Sequence, residues 1–315
     1  MQKEHNGGRD WHTSSSATAG GLPIPRGLAE FAADGDNNKW NEWIARLPAL
    51  VAELTERWSL QLGAPYEPGG VCSWVAPARN PSGAALALKV GIRHSEAEHE
   101  IDGLRFWDGD GAVRLYDSYT TDDTCVLLLE RCVPGNSLKQ TLPEPEQDEI
   151  VAGLLCRLWQ EPPAGHPFRP LQSMCEEWGD RLAEEAERHP DKLDSGLTQA
   201  GLEIFRSYAG TTDRHVLLCT DLHADNVLAA SREPWLVIDP KPYVGDPAYD
   251  ATQHLLNCME RVEADPHGIC QRIAGLLDVE SERVTTWLFA RCVETAFGDD
   301  AWSHSTRSIA ALIAP

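Results

Sequence analysis

The chain has 315 residues, enough to bury a sizeable core in one large or two modest domains. Its formal net charge of −22 argues against nucleic-acid binding, which favours a basic face. No apolar run is long enough to cross a membrane, and the N-terminus lacks the apolar core of a signal peptide. Nine scattered cysteines without a Cys-x2-Cys pair favour a reduced compartment over a disulfide framework or a structural zinc site. We therefore expect a cytoplasmic protein without a nucleic-acid or membrane partner, and no protein partner is implied.

The first part of the chain predicts a tail and then a β-rich lobe. Residues 1–21 are polar and rich in Ser, Gly and His, and we expect them to be disordered. Apolar residues recur at helical spacing from Trp40 to Leu60, which predicts a helix that is interrupted or restarted at Pro48. Further on, the pattern predicts a turn at 80–83, a helix over 95–107, and strands at 71–75, 84–90, 113–116 and 125–130.

The second part of the chain is mainly helical by the same criteria. Short strands are expected at 216–218, 227–230 and 235–238, and helices at 150–159, 171–189, 197–208 and from 249 onward. The predicted fold class is therefore α+β with two lobes. The boundaries place a small β-rich N-lobe at 22–132 and a large C-lobe at 133–315.

Three polar residues around the predicted hairpin of the C-lobe carry the strongest chemical signal. Asp221 follows a short apolar strand, Asn226 comes five residues later, and Asp239 ends the returning strand. Phosphoryl transfer from Mg-ATP to a hydroxyl needs such a trio, in which one Asp orients the hydroxyl. We predict that Asp221 is catalytic and that Asn226 and Asp239 bind Mg²⁺.

A nucleotide-binding half is predicted in the N-lobe. Lys89 ends a strand that follows a glycine-containing loop, and it is positioned to reach the α- and β-phosphates of ATP. Glu100, on the next helix, is the preferred ion-pair partner, although Glu96 lies one turn away. Gly69 and Gly70 are candidates for covering the phosphates, but any hairpin turn uses such glycines.

The predicted strand that ends at Arg131 leads toward an adenine site. Backbone groups of Glu130 and Cys132 are candidates for bonding the adenine edge, and Leu129 for packing beside the ring. The alternative is a buried strand and its exit, without a ligand.

With these parts in order, the chain resembles the aminoglycoside phosphotransferases of the protein-kinase-like fold. Within them it is most similar to the streptomycin 6-kinase and hydroxyurea-resistance kinase family, over about residues 24–256. The stretches that carry the resemblance are WIARLPALVAELTERWSL (43–60), EIDGLRFWDGDGAVRL (100–115), LLLERCVP (127–134) and WLVIDPKPYVGDPAYD (235–250).

The resemblance implies an ATP- and Mg²⁺-dependent kinase that phosphorylates a hydroxyl of an aminoglycoside such as streptomycin. It gives the roles described above to five residues, Asp221, Asn226, Asp239, Lys89 and Glu100. It also places adenine at the linker between the lobes, residues 130–132. The alternatives are a kinase of hydroxyurea or another small metabolite, and a degenerate kinase fold that binds nucleotide without chemistry.

The chain departs from the family pattern in its catalytic loop, where Cys219-Thr220 replaces the usual His-Gly. Asp225 occupies a position often held by Gly, and we favour an interpretation in which it faces solvent. His223 either stabilises the loop or contacts substrate. Lys241 is a further candidate for an additional contact with the substrate.

Two acidic features remain open to two interpretations. Asp250 either braces the catalytic loop or caps the following helix. The helix over 175–189 carries six acids that would suit a cationic acceptor. They also fit a solvated face paired with Arg181 and Arg188 at helical spacing.

Overall fold

The computed structural model describes residues 17–34 and 38–315. These residues fall into two compact units, the first extending to residue 101 and including 114–131, the second comprising 102–113 and 132–315. Residues 1–16 of the expected tail lie outside the described residues. Ala17–Ala19, within the same expected tail, forms a strand that pairs with Leu22–Ile24.

The first unit contains a five-stranded antiparallel sheet in the order β3-β4-β5-β7-β6 and two helices. The elements are β1 (Ala17–Ala19), β2 (Leu22–Ile24), α1 (Arg26–Ala33), α2 (Asn38–Arg57), β3 (Gln61–Leu62), β4 (Ser73–Arg79), β5 (Ala85–Ile92), β6 (Leu115–Thr120) and β7 (Thr124–Glu130). Helix α3 (Glu100–Trp107) begins in the first unit and ends in the second.

The core of the first unit lies between the helices and one face of the sheet. Alternate residues of β4 and β5 are buried, as expected for strands with one face on a core. Trp43 of α2 packs there and donates its indole N–H to the Thr124 hydroxyl at 3.0 Å. Trp74 of β4 donates to the carbonyl oxygen of Pro23 at 2.9 Å, so both buried indoles are satisfied.

The predicted interruption at Pro48 was wrong, because α2 is continuous with Pro48 inside it. A proline removes one backbone hydrogen bond within a helix. Leu47 and Val51, on either side of it, are both buried, and their packing keeps the two halves in one helix.

The predicted helix over 95–107 is shorter in the structure. Ser95–Ala97 forms a separate 3₁₀ turn, and α3 begins at Glu100. The expected strand at 113–116 is also displaced, since β6 begins at Leu115. Val113 instead donates its N–H to Val237 of the second unit at 3.0 Å, which removes it from the sheet of the first.

The second unit is mainly helical and includes two small antiparallel strand pairs, β9 with β10 and β8 with β11. Its elements are α4 (Leu138–Thr141), α5 (Glu144–Leu158), α6 (Leu171–Arg188), α7 (Ser195–Ser207), β8 (Val216–Leu218), β9 (Val227–Ala229), β10 (Trp235–Val237), β11 (Tyr243–Gly245), α8 (Pro247–Leu256), α9 (Met259–Ala264), α10 (Pro266–Leu277), α11 (Ser281–Glu294) and α12 (Ala301–Leu312).

The segment 102–113 was predicted in the N-lobe but clusters with the second unit. Trp107, 2% exposed, donates its indole N–H to the carbonyl of Leu158 at 2.9 Å. Arg232 donates to the carbonyls of Gly109 and Ala112 at 2.7 and 3.0 Å. These contacts join the segment to α5 and to the β9–β10 hairpin.

Among the described residues, no helix combines the length and the apolar composition that crossing a membrane requires.

Candidate active site

The loop after β8 carries Asp221 in a nearly buried position, 8% exposed. The side-chain amide of Asn226 donates to the backbone carbonyl of Asp221 at 3.0 Å. This hydrogen bond joins two residues of the loop that are five positions apart, and it orients the side-chain amide of Asn226. Because the nitrogen of Asn226 is used in this way, its side-chain oxygen is the atom left to bind a cation.

Asp239 is brought to Asn226 by the pairing of β9 with β10. Val227 lies opposite Val237, and the N–H of Ile238 donates to the carbonyl of Asn226 at 2.9 Å. Asp239 follows directly with φ +53°, a left-handed conformation that turns the chain out of the strand. An amide oxygen and a carboxylate are the hard oxygen donors that suit Mg²⁺, so these two residues fit the predicted metal.

Asp250, in α8, braces the catalytic loop, as one of the two interpretations predicted. Its carboxylate accepts the backbone N–H groups of Cys219 at 2.9 Å and Thr220 at 2.6 Å, and the indole N–H of Trp159 at 2.9 Å. The helix cap is instead Asp246, which accepts the N–H of Ala248. Complete burial raises the pKa of Asp250 to about 6, against the opposing effect of the three donors.

Lys241 forms an ion pair with Asp221 that sequence reasoning did not assign. Its Nζ lies 2.6 Å from Oδ2 of Asp221, and the two side chains are 24% and 11% exposed. The Asp-Pro-Lys sequence that holds Lys241 was recognised as a family pattern. Nothing local in the sequence indicates, however, that the lysine folds back onto the loop.

His223 stabilises the loop, which is one of the two interpretations predicted for it, and a contact with substrate stays a prediction. Its Nδ1 accepts the N–H of Asp225 at 3.4 Å, and burial lowers the pKa of His223, which favours the neutral ring that this bond requires. The expectation that Asp225 faces solvent holds in part, because its side chain is 34% exposed and its carboxylate pairs with the ammonium group of Lys139 at 2.9 Å. Cys219, in place of the family's histidine, is completely buried, which raises the pKa of its thiol well above the usual range.

In the first unit, Lys89 and Glu100 form the predicted ion pair. Lys89 Nζ lies 2.7 and 2.8 Å from the two carboxylate oxygens of Glu100. The lysine is central in the sheet, opposite Val75 of β4 and Leu127 of β7, and its side chain is only 12% exposed. The alternative of an ordinary surface lysine does not fit this burial and bidentate pairing.

The two candidate glycines differ in what requires them. Gly69 has φ +71°, and a Cβ there would lie 2.5 Å from the Cβ of Pro25, so both conformation and packing call for glycine. A Cβ on Gly70 would meet only the hydroxyl of Ser73, at 3.9 Å. A role of either residue in covering phosphates stays a prediction.

The predicted adenine-binding residues lie at the end of β7 and just beyond it. Leu129 and Cys132 are each 7% exposed. The N–H of Glu130 donates to the carbonyl of Arg114 at 2.8 Å and is therefore already used within the protein. The assignment of these three residues to adenine stays a prediction.

A buried arginine of the second unit went unnoticed in the sequence. The guanidinium of Arg291 lies 4.1 Å from the ring centre of Trp178 and donates to the hydroxyl of Tyr249 at 2.9 Å. Burial opposes its charge, but Tyr249 and Glu294 outweigh that effect and raise the pKa of Arg291, with Asp221 contributing in the same direction. The signal that the sequence offers for Arg291 is its place in α11, where it lies among apolar residues that are buried.

A second network, also missed, surrounds Asp148 of α5. His254, Arg261 and Arg272 bond its carboxylate at 2.9, 2.8 and 2.9 Å. Asp148, His254 and Cys258 place ligand atoms within 4.8 Å of one another, a grouping that resembles a metal site. Since two guanidinium groups already neutralise Asp148, we interpret the network as structural.

The acidic helix α6 is divided between the two interpretations offered for it. Glu184 and Glu185 pair with Arg188 at helical spacing, as expected for a solvated face. Arg181 departs from that interpretation, because it lies 3.8 Å from Glu294 of α11.

Two kinds of sequence comparison, with a family profile and with individual proteins, agree with each other. Residues 57–303 match the profile of a family described as aminoglycoside/hydroxyurea antibiotic resistance kinase. The chain is 34% identical over 290 residues to streptomycin 6-kinase of Streptomyces griseus, covering 88% of this chain and 91% of that protein. It is 33% identical over 298 residues to hydroxyurea phosphotransferase of Kitasatospora aureofaciens, covering 91% of this chain and 82% of the relative.

Solved structures share the fold. An aminoglycoside phosphotransferase from Streptomyces rimosus, in complex with ADP and streptomycin, matches with a TM-score of 0.53 at 16% identity. The match covers 79% of this chain and 98% of that one. The predicted α+β, kinase-like fold class is confirmed.

Proposed function

The chain belongs to the aminoglycoside/hydroxyurea antibiotic resistance kinase family, and we propose that it transfers a phosphoryl group from Mg-ATP to a hydroxyl of an aminoglycoside such as streptomycin. Membership of this family confirms the predicted enzyme class, a phosphotransferase with an alcohol group as acceptor. The nucleotide, the metal and the acceptor are parts of the proposal.

One observation supports the chemistry above the others: Asp221, Asn226 and Asp239 belong to one hydrogen-bonded unit. The side chain of Asn226 is bonded to the backbone of Asp221, and the residue before Asp239 is bonded to the backbone of Asn226. Transfer from a nucleotide depends on positioning and charge neutralisation, and such a unit supplies both. Asp221 would orient the acceptor hydroxyl, and Asn226 and Asp239 would hold Mg²⁺, which neutralises phosphate charge when bound.

The formed Lys89–Glu100 ion pair supports the nucleotide side of the proposal. Lys89 would contact the α- and β-phosphates, and Glu100 would hold its ammonium group in place. A degenerate kinase fold has no need of a buried, bidentate pair of this kind, which costs desolvation energy. The pair therefore favours an active enzyme over a nucleotide-binding relic.

Streptomycin is the favoured acceptor because two curated relatives of that activity align over 88% of this chain. The net charge of −22 suits a cationic acceptor. Hydroxyurea is the second candidate, since the relative that acts on it is 33% identical over a similar length.

The test is to incubate the purified protein and Mg-ATP separately with each member of an aminoglycoside panel and with hydroxyurea. We expect streptomycin to gain the mass of one phosphate group with equal release of ADP. Asp221→Asn should lower turnover by about 100-fold or more. Glu184→Gln, which alters a surface pair on α6, is the matched carboxylate control and should not change turnover.

The other outcomes separate the candidates. Phosphorylation of hydroxyurea alone would replace streptomycin as the acceptor. Binding of Mg-ATP without ADP release in the presence of any acceptor would instead support the degenerate kinase fold.

A further inference from the structure

The ion pair between Lys241 and Asp221 joins two chain segments that carry the candidate chemistry. Asp221 lies in the loop after β8, whereas Lys241 follows Asp239 by two residues on the way to β11. The Nζ–Oδ2 distance of 2.6 Å is that of a charge-assisted hydrogen bond. The side chain that would orient the acceptor is therefore linked to the segment that would hold the metal.

Both backbone polar groups of Lys241, the N–H and the carbonyl, are also hydrogen-bonded to the catalytic loop. Its N–H donates to the carbonyl of Cys219 at 2.9 Å. Its carbonyl accepts the hydroxyl of Thr220 at 2.5 Å. With the ion pair, three consecutive loop residues each contact Lys241, so its position is fixed by more than a flexible side chain.

Thr220 gives a reason for the departure from the family's His-Gly. It has φ +50°, a conformation that a β-branched residue rarely adopts and that glycine would accept without strain. Glycine has no hydroxyl, however, and could not bond the Lys241 carbonyl. The strain of the threonine backbone therefore accompanies a hydrogen bond to Lys241 that glycine could not make.

We propose that Lys241 is a positioning residue for phosphoryl transfer, fixed in place by the hydroxyl of Thr220. This inference rests on the proposed function. Lys241 holds Asp221 through Oδ2, which assigns Oδ1 to the acceptor hydroxyl. It also offsets the repulsion between the Asp221 carboxylate and the negative charge of the transferred phosphoryl group.

The step balances with the groups already named. The acceptor oxygen forms a bond to the γ-phosphorus as the bond from that phosphorus to the β,γ-bridging oxygen breaks, and ADP leaves. The proton of the acceptor hydroxyl passes to Oδ1 of Asp221. Lys241 keeps its proton throughout and acts only on the orientation and the electrostatic environment of Asp221.

Steady-state kinetics of Lys241→Met, Lys241→Arg and Lys139→Met test the role. Lys139 is the matched control, because its ammonium pairs with Asp225 of the same loop at 2.9 Å. We expect Lys241→Met to lower kcat by about 100-fold, while KM for ATP and for the acceptor changes less than about threefold. Lys241→Arg should recover a substantial part of kcat, and Lys139→Met should leave it within about threefold of the parent.

The hydroxyl of Thr220 is tested by a pair of variants of similar size. Thr220→Ser keeps the hydroxyl and should retain kcat, whereas Thr220→Val keeps the shape and should lower kcat by about tenfold. Equal kcat for the serine and valine variants would remove Thr220 from the proposal.

A crystal structure of Lys241→Met provides a readout that does not depend on the acceptor. We expect the Asp221 side chain to leave its position in the parent protein. An unmoved Asp221 together with unchanged kcat would overturn the inference. If the parent phosphorylates no member of the panel, the proposed function fails, and the position of Asp221 in this variant still decides whether Lys241 orients it.

Discussion

Asp250 accepts the backbone N–H of Thr220 at 2.6 Å, although 30 residues separate them in the chain. The same carboxylate accepts the N–H of Cys219 at 2.9 Å. Two successive peptide groups are thereby held by one buried side chain just before Asp221. The direction in which the catalytic loop leaves β8 therefore depends on a residue of α8.

Replacing Asp250 with Asn is expected to harm both stability and turnover. An amide offers one acceptor oxygen and two donors, so at least one buried N–H that Asp250 now satisfies would lose its partner. Each such group costs about 1–3 kcal/mol, and we expect the free energy of unfolding in urea to fall by about this amount. The kcat of the protein that remains folded should fall as well, because the loop before Asp221 loses its support.

Asp246→Asn is the matched control for that variant. Asp246 is also buried at the start of α8, where it accepts the indole N–H of Trp287 at 2.7 Å and caps the helix. The Asp246→Asn variant should have a lower free energy of unfolding, while its kcat per folded molecule stays close to the parent value. Equal kcat for the two variants would contradict the bracing role of Asp250.

Removing Lys89 is expected to lower both the stability of the protein and its affinity for Mg-ATP. In Lys89→Met, Glu100 keeps its buried carboxylate, with a side chain 3% exposed, but loses the ammonium group that faces it. Breaking a buried pair in this way costs on the order of 3 kcal/mol of unfolding free energy. Affinity for Mg-ATP, measured by isothermal titration calorimetry, should fall by about tenfold or more.

The double variant Lys89→Met/Glu100→Gln distinguishes the two effects. Glu100→Gln replaces the buried carboxylate with a neutral amide, so the buried charge is gone. The free energy of unfolding in urea should therefore return toward the parent value, while Mg-ATP binding stays weak. Unchanged affinity in Lys89→Met would contradict the assignment of Lys89 to the phosphates.

The parts of the fold that the sequence predicted well are those with local causes. The hairpin around Ser231 and the turn at 80–83 carry strong turn residues, and Gly83 indeed has φ +82°. The strand before Asp221 is a short apolar run, and β8 occupies the predicted residues Val216–Leu218. Local chemistry therefore placed Asp221, Asn226 and Asp239 on a loop and a hairpin.

The parts that could not be predicted depend on contacts distant in sequence. Asp148 and His254 are 106 residues apart, and no local pattern indicates that they meet. Lys241 lies in a recognised motif, yet its contact with Asp221 follows from the pairing of β8 with β11. Pro48 shows the converse, since a local helix-breaking signal was overridden by the buried residues around it.

Neutralising Asp239 is expected to weaken the use of Mg²⁺ without disturbing the chain. Asn adopts the left-handed conformation more readily than most residues, so Asp239→Asn should keep the φ of +53° and remove only the charge. The free Mg²⁺ concentration that gives half-maximal ADP release should rise by about tenfold or more. Asp278→Asn is the matched control, because Asp278 has the same φ at the exposed end of α10. An Mg²⁺ titration of Asp239→Asn that overlays the parent curve would exclude Asp239 as a metal ligand.

Asp148 is expected to make stability depend on pH on the acid side. Burial opposes its ionisation, but the bonds from His254, Arg261 and Arg272 outweigh burial and lower the pKa of Asp148 well below its usual 3.8. A carboxyl with a lowered pKa stabilises the folded state fully above the unfolded value and loses that contribution as the pH falls toward the folded value. The unfolding free energy of the parent should therefore decrease below about pH 4 more steeply than that of Asp148→Asn.

Asp299 provides the comparison for this last prediction. Lys192 lowers the pKa of Asp299 too, but the Asp299 side chain is 87% exposed, so salt should screen the pair. We expect Asp299→Asn to change stability little and its effect to vanish in high salt, whereas the effect of Asp148→Asn persists. Urea unfolding from pH 7 down to the acid limit, at low and high salt, measures both. Parallel pH curves for the parent and Asp148→Asn would show that the buried network does not hold Asp148 ionised.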